Sequence, residues 1–172
     1  MKILVVYASR YGQTEKIAWR IAGVAENEGI GCTVASLADA PPLHEFNDVI
    51  VAGSIYFGRH ARSLRRFVRR NLRALEERHT AFVTVCGDPA LAPPIVEKFV
   101  RDTGWEPDVS ATFAGATRYT RYGWLLRHIV RRAAAAAHPG DTDMTRDYEY
   151  TDWNAVAAFA RSFAAEALRR AA

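Results

Sequence analysis

Near the start of the 172-residue chain, Ser9-Arg10-Tyr11-Gly12-Gln13-Thr14 brings two hydroxyls, a cation and a glycine together in one short turn. An apolar run, Lys2-Ile3-Leu4-Val5-Val6-Tyr7-Ala8, precedes it, and a helical pattern with Ile17, Ile21, Val24 and Ala25 on one face follows. A turn so placed lies where a helix leaves its first backbone N–H groups without intrahelical partners. Those donors and the helix dipole favour an anion, phosphate above all. Ser9 and Thr14 add hydroxyls, and Gly12 lets backbone approach a ligand closely. The segment matches neither the G-x-x-x-x-G-K-[ST] loop of nucleoside triphosphate sites nor the G-x-G-x-x-G dinucleotide fingerprint. A hydroxyl-rich turn after a first strand suits the phosphate of flavin mononucleotide (FMN). An ordinary helix capped by Ser9 or Thr14 would use the same residues.

Two further segments carry small, polar and aromatic residues at the ends of apolar runs: Ser54-Ile55-Tyr56-Phe57-Gly58 and Cys86-Gly87. Tyr56 and Phe57 offer rings to a planar ligand, or pack as rim aromatics on the next helix. Backbone groups of 54–58 and of Cys86-Gly87 could meet the polar edge of a flavin ring. His60 follows closely.

The elements that position these segments alternate between strand and helix, which argues for a parallel sheet with helices on both faces. Strands are expected at Lys2–Tyr7, Cys32–Ser36, Asp48–Gly53, Ala81–Cys86 and Val109–Ala114. Helices are expected at Thr14–Glu28, ended by Gly29 and Gly31, at Ala61–Glu77 and from Pro93-Pro94. The alternation then breaks, because Gly115–Tyr148 is too long for a plain loop. Within it Trp124–Ala133 reads as a short amphipathic helix stopped at Pro139-Gly140, and Tyr148–Tyr150 as a short strand. A last helix starts at Thr151 or Asp152 and runs through Leu168. The expected fold is α/β: a flavodoxin-like five-stranded parallel sheet of order 2-1-3-4-5, helices on both faces, and an insertion at about 115–148 interrupting strand five. Residues 1–172 form one domain. In such sheets ligands bind at the carboxyl ends of the strands, beside the switch between strands one and three. The three chemistry-bearing segments all fall there.

Hydrophobic residues at 49% and charged residues at 24% describe a folding chain able to bury a core. The net charge of +4 is unevenly spread. Val49–Leu75 contains no acid but holds Arg59, Arg62, Arg65, Arg66, Arg69, Arg70 and Arg73. Val109–Gly140 contains no acid but holds Arg118, Arg121, Arg127, Arg131 and Arg132. One-sign patches suggest an anionic partner, whereas a solvated helix face explains any single arginine. No nucleic-acid motif accompanies them, so nucleic acid is not expected as a partner. No leader-like or membrane-spanning stretch is evident, and the two cysteines, Cys32 and Cys86, read as reduced thiols in a cytoplasmic protein. No spacing suggests a metal site.

Four segments carry a resemblance that extends over almost the whole chain: Ser9–Thr14; Gly53–His60; Ala114–Tyr122; and Gly140–Asp143 continuing at Glu149–Trp153. The chain resembles the flavodoxin-like, quinone-dependent protoporphyrinogen IX dehydrogenases of haem biosynthesis. The resemblance implies one non-covalent FMN, held by Ser9, Arg10, Tyr11, Gly12, Gln13, Thr14, Ser54, Ile55, Tyr56, Phe57, Gly58, Cys86 and Gly87. It implies removal of six electrons from protoporphyrinogen IX in three two-electron rounds, with menaquinone or ubiquinone as acceptor. It further implies peripheral contact with the cytoplasmic face of the inner membrane, for which the helix Trp124–Ala133 is the candidate, and leaves a homodimer open. For such a substrate, Arg118 and Arg121 are expected to meet the propionates, unless Asp141 or Asp143 pairs with them. His60 is the candidate proton acceptor. A flavodoxin-type electron carrier or a generic FMN-dependent quinone reductase is the alternative; carriers are usually acidic, and this chain is basic.

Overall fold

The computed structural model describes residues 1–137 and 140–171. Along the chain, β1 (Lys2–Ala8) leads through α1 (Gln13–Asn27) to β2 (Gly31–Ser36). Next, β3 (Asp48–Tyr56) turns back into the short β4 (Arg59–His60), followed by α2 (Arg62–Arg70), α3 (Leu72–Glu76) and β5 (His79–Cys86). Then come α4 (Pro93–Thr103) and β6 (Val109–Ala114), and beyond them β7 (Ala116–Thr117), α5 (Trp124–Ala137), β8 (Tyr148–Glu149) and α6 (Trp153–Ala171). The long strands pair in parallel in the order β2-β1-β3-β5-β6. Without the β4 hairpin, this is the 2-1-3-4-5 order of a flavodoxin-like sheet.

The order follows from burial. Leu4, Val5 and Val6, then Val49, Val51 and Ala52, then Ala81, Phe82 and Val83 have no exposed surface, as central parallel strands covered on both faces require. Side chains alternate between two cores. Ile3, Val5, Ile50 and Ala52 pack with residues of α1 and α6. Leu4, Val6, Val49 and Val51 pack with Leu64, Val68 and Leu75 of α2 and α3 and with Phe99 of α4. Each large apolar side chain so buried contributes about 1.5–3 kcal/mol. Gly53 lets β3 pass close under α2: a Cβ there would meet Leu64 Cδ2, and that buried side chain would have to shift.

Three expectations need correction. The helix expected at Ala61–Glu77 is broken at Asn71, whose backbone lies at φ −111° and ψ 14°. Its side-chain Nδ2 donates to the Phe67 carbonyl at 2.9 Å, and its backbone N–H goes to Phe67 and Val68. A short amide that competes for backbone groups in this way ends a helical run. Strand three does not stop at Gly53 but continues to Tyr56 and folds back as a hairpin. The insertion does not split strand five. After Gly115 the chain leaves the sheet, and β7 and β8 pair antiparallel as a separate ribbon at the root of the insertion. The insertion helix reaches Ala137; Pro139, expected to stop it, lies outside the described residues. Asp152 caps α6, accepting from the N–H groups of Asn154 and Ala155 at 2.9 and 3.0 Å.

Candidate flavin site

The turn after β1 is built around Gly12, at φ 93° and ψ −11°, a left-handed conformation that suits glycine. Its N–H donates to Ser9 Oγ at 3.0 Å. The first bond of the α1 ladder runs from Lys16 N–H to Gly12 O at 3.0 Å. The N–H groups of Gln13, Thr14 and Glu15 therefore lie ahead of the ladder, and no side chain caps them. Capping by Ser9 or Thr14 is not what the structure shows.

Gln13 is only 6% exposed and turns its side chain away from the turn. Its Nε2 donates to Thr151 Oγ1 at 2.8 Å, and its Oε1 accepts from Arg118 Nη2 at 2.7 Å. Arg118 Nη2 also reaches Glu149 Oε2 at 2.8 Å, and its Nη1 lies 3.7 Å from Asp147. Its acidic partners are thus Glu149 and Asp147, in place of the expected Asp141 or Asp143. Burial opposes the charge on Glu149. Even so, hydrogen bonds and charge from Lys16, a bond from Trp153 and the charge of Arg118 outweigh it and hold this carboxyl below its usual range. Arg121 Nη1 donates to the Tyr11 carbonyl at 3.0 Å. Both arginines expected at the propionates are engaged in fastening the insertion to the β1–α1 turn.

The β3–β4 hairpin supplies the aromatic wall. Phe57 and Gly58, at φ 48° and 69°, form its two-residue turn. Hairpin turns of this kind need positive φ at both centres and favour Asn-Gly or Gly-Gly there. Phe57 takes the strain and leaves its ring 61% exposed. Tyr56 packs edge-on to it, with ring centroids 4.6 Å apart. The Arg10 guanidinium lies 4.5 Å above the Tyr56 ring in a cation–π contact. The Tyr56 hydroxyl is 3.3 Å from that of Tyr11, and Tyr11 meets Tyr122 edge-on at 4.7 Å. Burial, then the Tyr11 hydroxyl, pushes the Tyr56 phenol up to about 12, so it stays protonated.

These elements enclose a cleft of about 490 Å³, a size suited to a cofactor. Ser9, Arg10, Tyr11, Gln13 and Thr14 line it, as do Ser54, Ile55, Tyr56, Phe57 and Gly58, with Cys86 and Gly87 opposite. Of the residues expected at a cofactor, only Gly12 is outside that lining. Sequence reasoning missed the far wall: Gly115–Thr117 after β6, Tyr122, and Ile129, Val130 and Ala134 of α5. The small residues at 115–117 were a usable signal; nothing local foretold that α5 folds over the cleft. The Cys86 thiol is pushed up to about 11, chiefly by burial and next by Asp88, so it is a packed thiol and no nucleophile.

His60 is 3% exposed and wedged between Phe82 and Phe99, with centroids 5.1 and 4.9 Å away. Burial lowers its imidazole to about 4, against the weaker raising effect of the Ser54 backbone. It lines a second, wider groove across the hairpin rather than the cleft. At neutral pH the imidazole is therefore uncharged, held between two phenylalanine rings on the groove side of the hairpin. Among the described residues no cluster of three or more His, Cys, Asp or Glu side chains is arranged to hold a metal ion.

The fold and this site define a flavodoxin-type protein, and residues 4–145 match the flavodoxin domain family. Solved structures share the fold. A flavodoxin from the domain Archaea superposes with a TM-score of 0.61 at 18% identity, covering 97% of this chain and 99% of that one. Flavodoxin 1 of Bacillus cereus gives 0.57 at 16% identity, over 95% and 97%. Sequence relatives are more specific. Protoporphyrinogen IX dehydrogenase [quinone] of Escherichia coli (strain K12) is 32% identical over 173 residues, 95% of each chain. The Leishmania major protein of the same name is 29% identical over 95% of this chain and 75% of its own. The chain belongs to the protoporphyrinogen IX dehydrogenase [quinone] family of flavodoxin-domain proteins. FMN is its cofactor, and the cleft fits it: N–H donors ahead of a helix ladder, hydroxyls of Ser9 and Thr14, and apolar walls of suitable volume.

Two outcomes follow from this geometry. Replacing Phe57 by Gly relieves a strained φ of order 1–3 kcal/mol while deleting a ring from the cleft. The flavin-free variant should melt no lower than the parent, yet hold FMN about tenfold less tightly by fluorescence titration; unaltered FMN affinity would remove Phe57 from the flavin wall. For His60 the folded-state value lies below the ordinary 6.5, so the unfolded chain binds its proton first as pH falls. Its contribution to stability is complete above pH 6.5 and lost toward about pH 4. Thermal melts of His60→Phe should fall less steeply over that window than those of the parent; parallel curves would contradict the assignment.

Proposed function

We propose that this protein oxidises protoporphyrinogen IX to protoporphyrin IX and passes the electrons to a quinone. The observation that carries this is the 32% identity, over 95% of both chains, to the Escherichia coli dehydrogenase of that name. FMN, when bound, supplies the two-electron redox chemistry. The chain's own residues hold and shield it. Backbone N–H groups of Gln13 and Thr14 and the hydroxyls of Ser9 and Thr14 take the phosphate. Tyr56 and Phe57 would offer their rings to the isoalloxazine, and Ile129, Val130 and Ala134 of α5 would help to shield it from water. Arg118 and Arg121 act as positioning residues, holding the insertion against the phosphate turn.

A groove of about 1580 Å³ adjoins the cleft. Ser9, Arg10, Ser54, Tyr56, Phe57 and Ile129 line both, so a macrocycle seated in the groove would lie against the flavin wall. The test is anaerobic mixing of FMN-loaded protein and protoporphyrinogen IX with a quinone analogue, followed by porphyrin fluorescence. Porphyrin formation that needs both protein and quinone is the expected result. A flavin reduced by other donors but never by porphyrinogen would move the protein to the electron-carrier or generic quinone-reductase reading.

The acceptor is menaquinone or ubiquinone, met by peripheral contact at the cytoplasmic face of the inner membrane. No helix among the described residues is long and apolar enough to cross a membrane. In support of contact, α5 presents Trp124, 75% exposed, with Leu125 and Ile129 also exposed and Arg131 and Arg132 beside them. A surface helix of this composition binds anionic lipid weakly and salt-dependently. Sedimentation with vesicles containing anionic phospholipid should recover the protein at low salt, less at high salt, and less again for Trp124→Ser/Leu125→Ser. Equal recovery of parent and variant would remove α5 as the contact.

A further inference from the structure

The seven arginines between Arg59 and Arg73 divide into two sets with different surroundings. One row on α2 and α3 faces acids and carbonyls. Arg65 lies 3.5 Å from Asp102 Oδ2, Arg69 donates to the Asp102 carbonyl, and Arg73 pairs with Glu77 at 3.1 Å. The other row is Arg62, Arg66 and Arg70, at i, i+4 and i+8, with Arg59 of β4 alongside. These four line the wide groove, joined there by Arg10, and no Asp or Glu is among the residues lining it. None of the four has an ion pair or side-chain hydrogen bond among the described residues. Apolar side chains also line the groove, among them Phe57, Phe67, Pro41, Trp124 and Leu125, together with neutral polar residues such as Ser36, Ser63 and Asn71.

Helix stability does not account for this row. Arg62 is the first residue of α2, and that first turn holds no acidic residue. Cations there oppose the helix dipole. Members of the row stand about 5–6 Å apart at Cβ, a spacing over which neighbouring guanidinium groups repel. A like-charged, unpaired row beside an apolar surface suits a ligand that is itself apolar and carries more than one carboxylate, which arginine grips bidentately.

We infer that Arg62 and Arg66, with Arg59 and Arg70 beside them, form the carboxylate-binding subsite of the groove and take the two propionates of the tetrapyrrole. This rests on the porphyrinogen reading above, and it replaces Arg118 and Arg121, whose side chains serve the insertion. The macrocycle would lie across Phe57 and Leu125, with its acidic edge on α2.

The test uses FMN-loaded protein and the product pair protoporphyrin IX and its dimethyl ester, with binding read by fluorescence quenching in the absence of turnover. The parent should bind the diacid more tightly than the ester. The variant Arg62→Gln/Arg66→Gln should lose at least about tenfold in affinity for the diacid and less than about twofold for the ester. Arg65→Gln/Arg69→Gln, which alters the acid-paired row, should bind the diacid as the parent does and so controls for the integrity of α2. Equal losses for diacid and ester, or none for either, would overturn the subsite while leaving the porphyrinogen reading intact, provided the parent still oxidises porphyrinogen. A parent that neither binds porphyrin nor oxidises porphyrinogen would overturn both. Loss of vesicle binding by the variant with diacid affinity unchanged would reassign the row to lipid headgroups.

Discussion

The buried amide of Gln13 is the constraint on which the site depends. Its donor goes to Thr151 and its acceptor takes Arg118, while Thr151 passes its own proton to the Ala114 carbonyl at 2.8 Å. Three parts distant in sequence therefore meet at one side chain: the first residue of α1, the end of β6 with the lead into α6, and the root of the insertion. A buried amide with either half unpaired would cost about 1–3 kcal/mol. The insertion must therefore dock in the one position that satisfies both halves. That docking places Tyr122 against Tyr11 and carries α5 over the cleft. With its side chain bonded to Thr151 and Arg118, Gln13 leaves the backbone donors at the start of α1 uncapped.

On the opposite side of the cleft, the hairpin trades local stability for position. Phe57 occupies a conformation that glycine or asparagine would adopt more readily. A strained residue persists where its surroundings over-determine it, and such residues gather at functional sites. Here the strained residue is also an exposed aromatic, flanked by Tyr56 and Arg10, on the shared boundary of cleft and groove. Electrostatics follow the same division. Acids cluster where structure needs them, at Glu149 and Asp147 around Arg118 and at Asp102 behind α2. The groove side of α2 is left with arginine alone, so its field attracts anions.

Much of this was legible in the chain. Near-continuous apolar runs such as Val49-Ile50-Val51-Ala52 mark central parallel strands, and their alternation with amphipathic helices leads to the five-strand order. The turn at Ser9–Thr14, the pair Tyr56-Phe57 and Cys86-Gly87 were recognisable because local residue type constrains local backbone and because strand ends converge on one edge of the sheet. Less legible was the direction of each polar side chain. Gln13 sits in a phosphate-type turn yet points away from it. Arg118 sits in the insertion yet pairs with Glu149, which lies far along the chain. His60 follows a loop motif yet packs between two phenylalanines.

What the sequence determined by itself, then, was the class of fold and the edge of the sheet at which three loop segments converge, since both rest on short-range periodicity, turn chemistry and the topology of a parallel sheet. Only the tertiary structure decided which cations are structural and which face a ligand. Spacing on a helix says that Arg62, Arg66 and Arg70 share one stripe and Arg65, Arg69 and Arg73 another. It cannot say which stripe meets Asp102. That depends on where α4 packs against α2, and so on side-chain contacts between segments some thirty residues apart. Charge pairing acts through space and falls off within several ångströms, so its partners are fixed by packing and not by position along the chain.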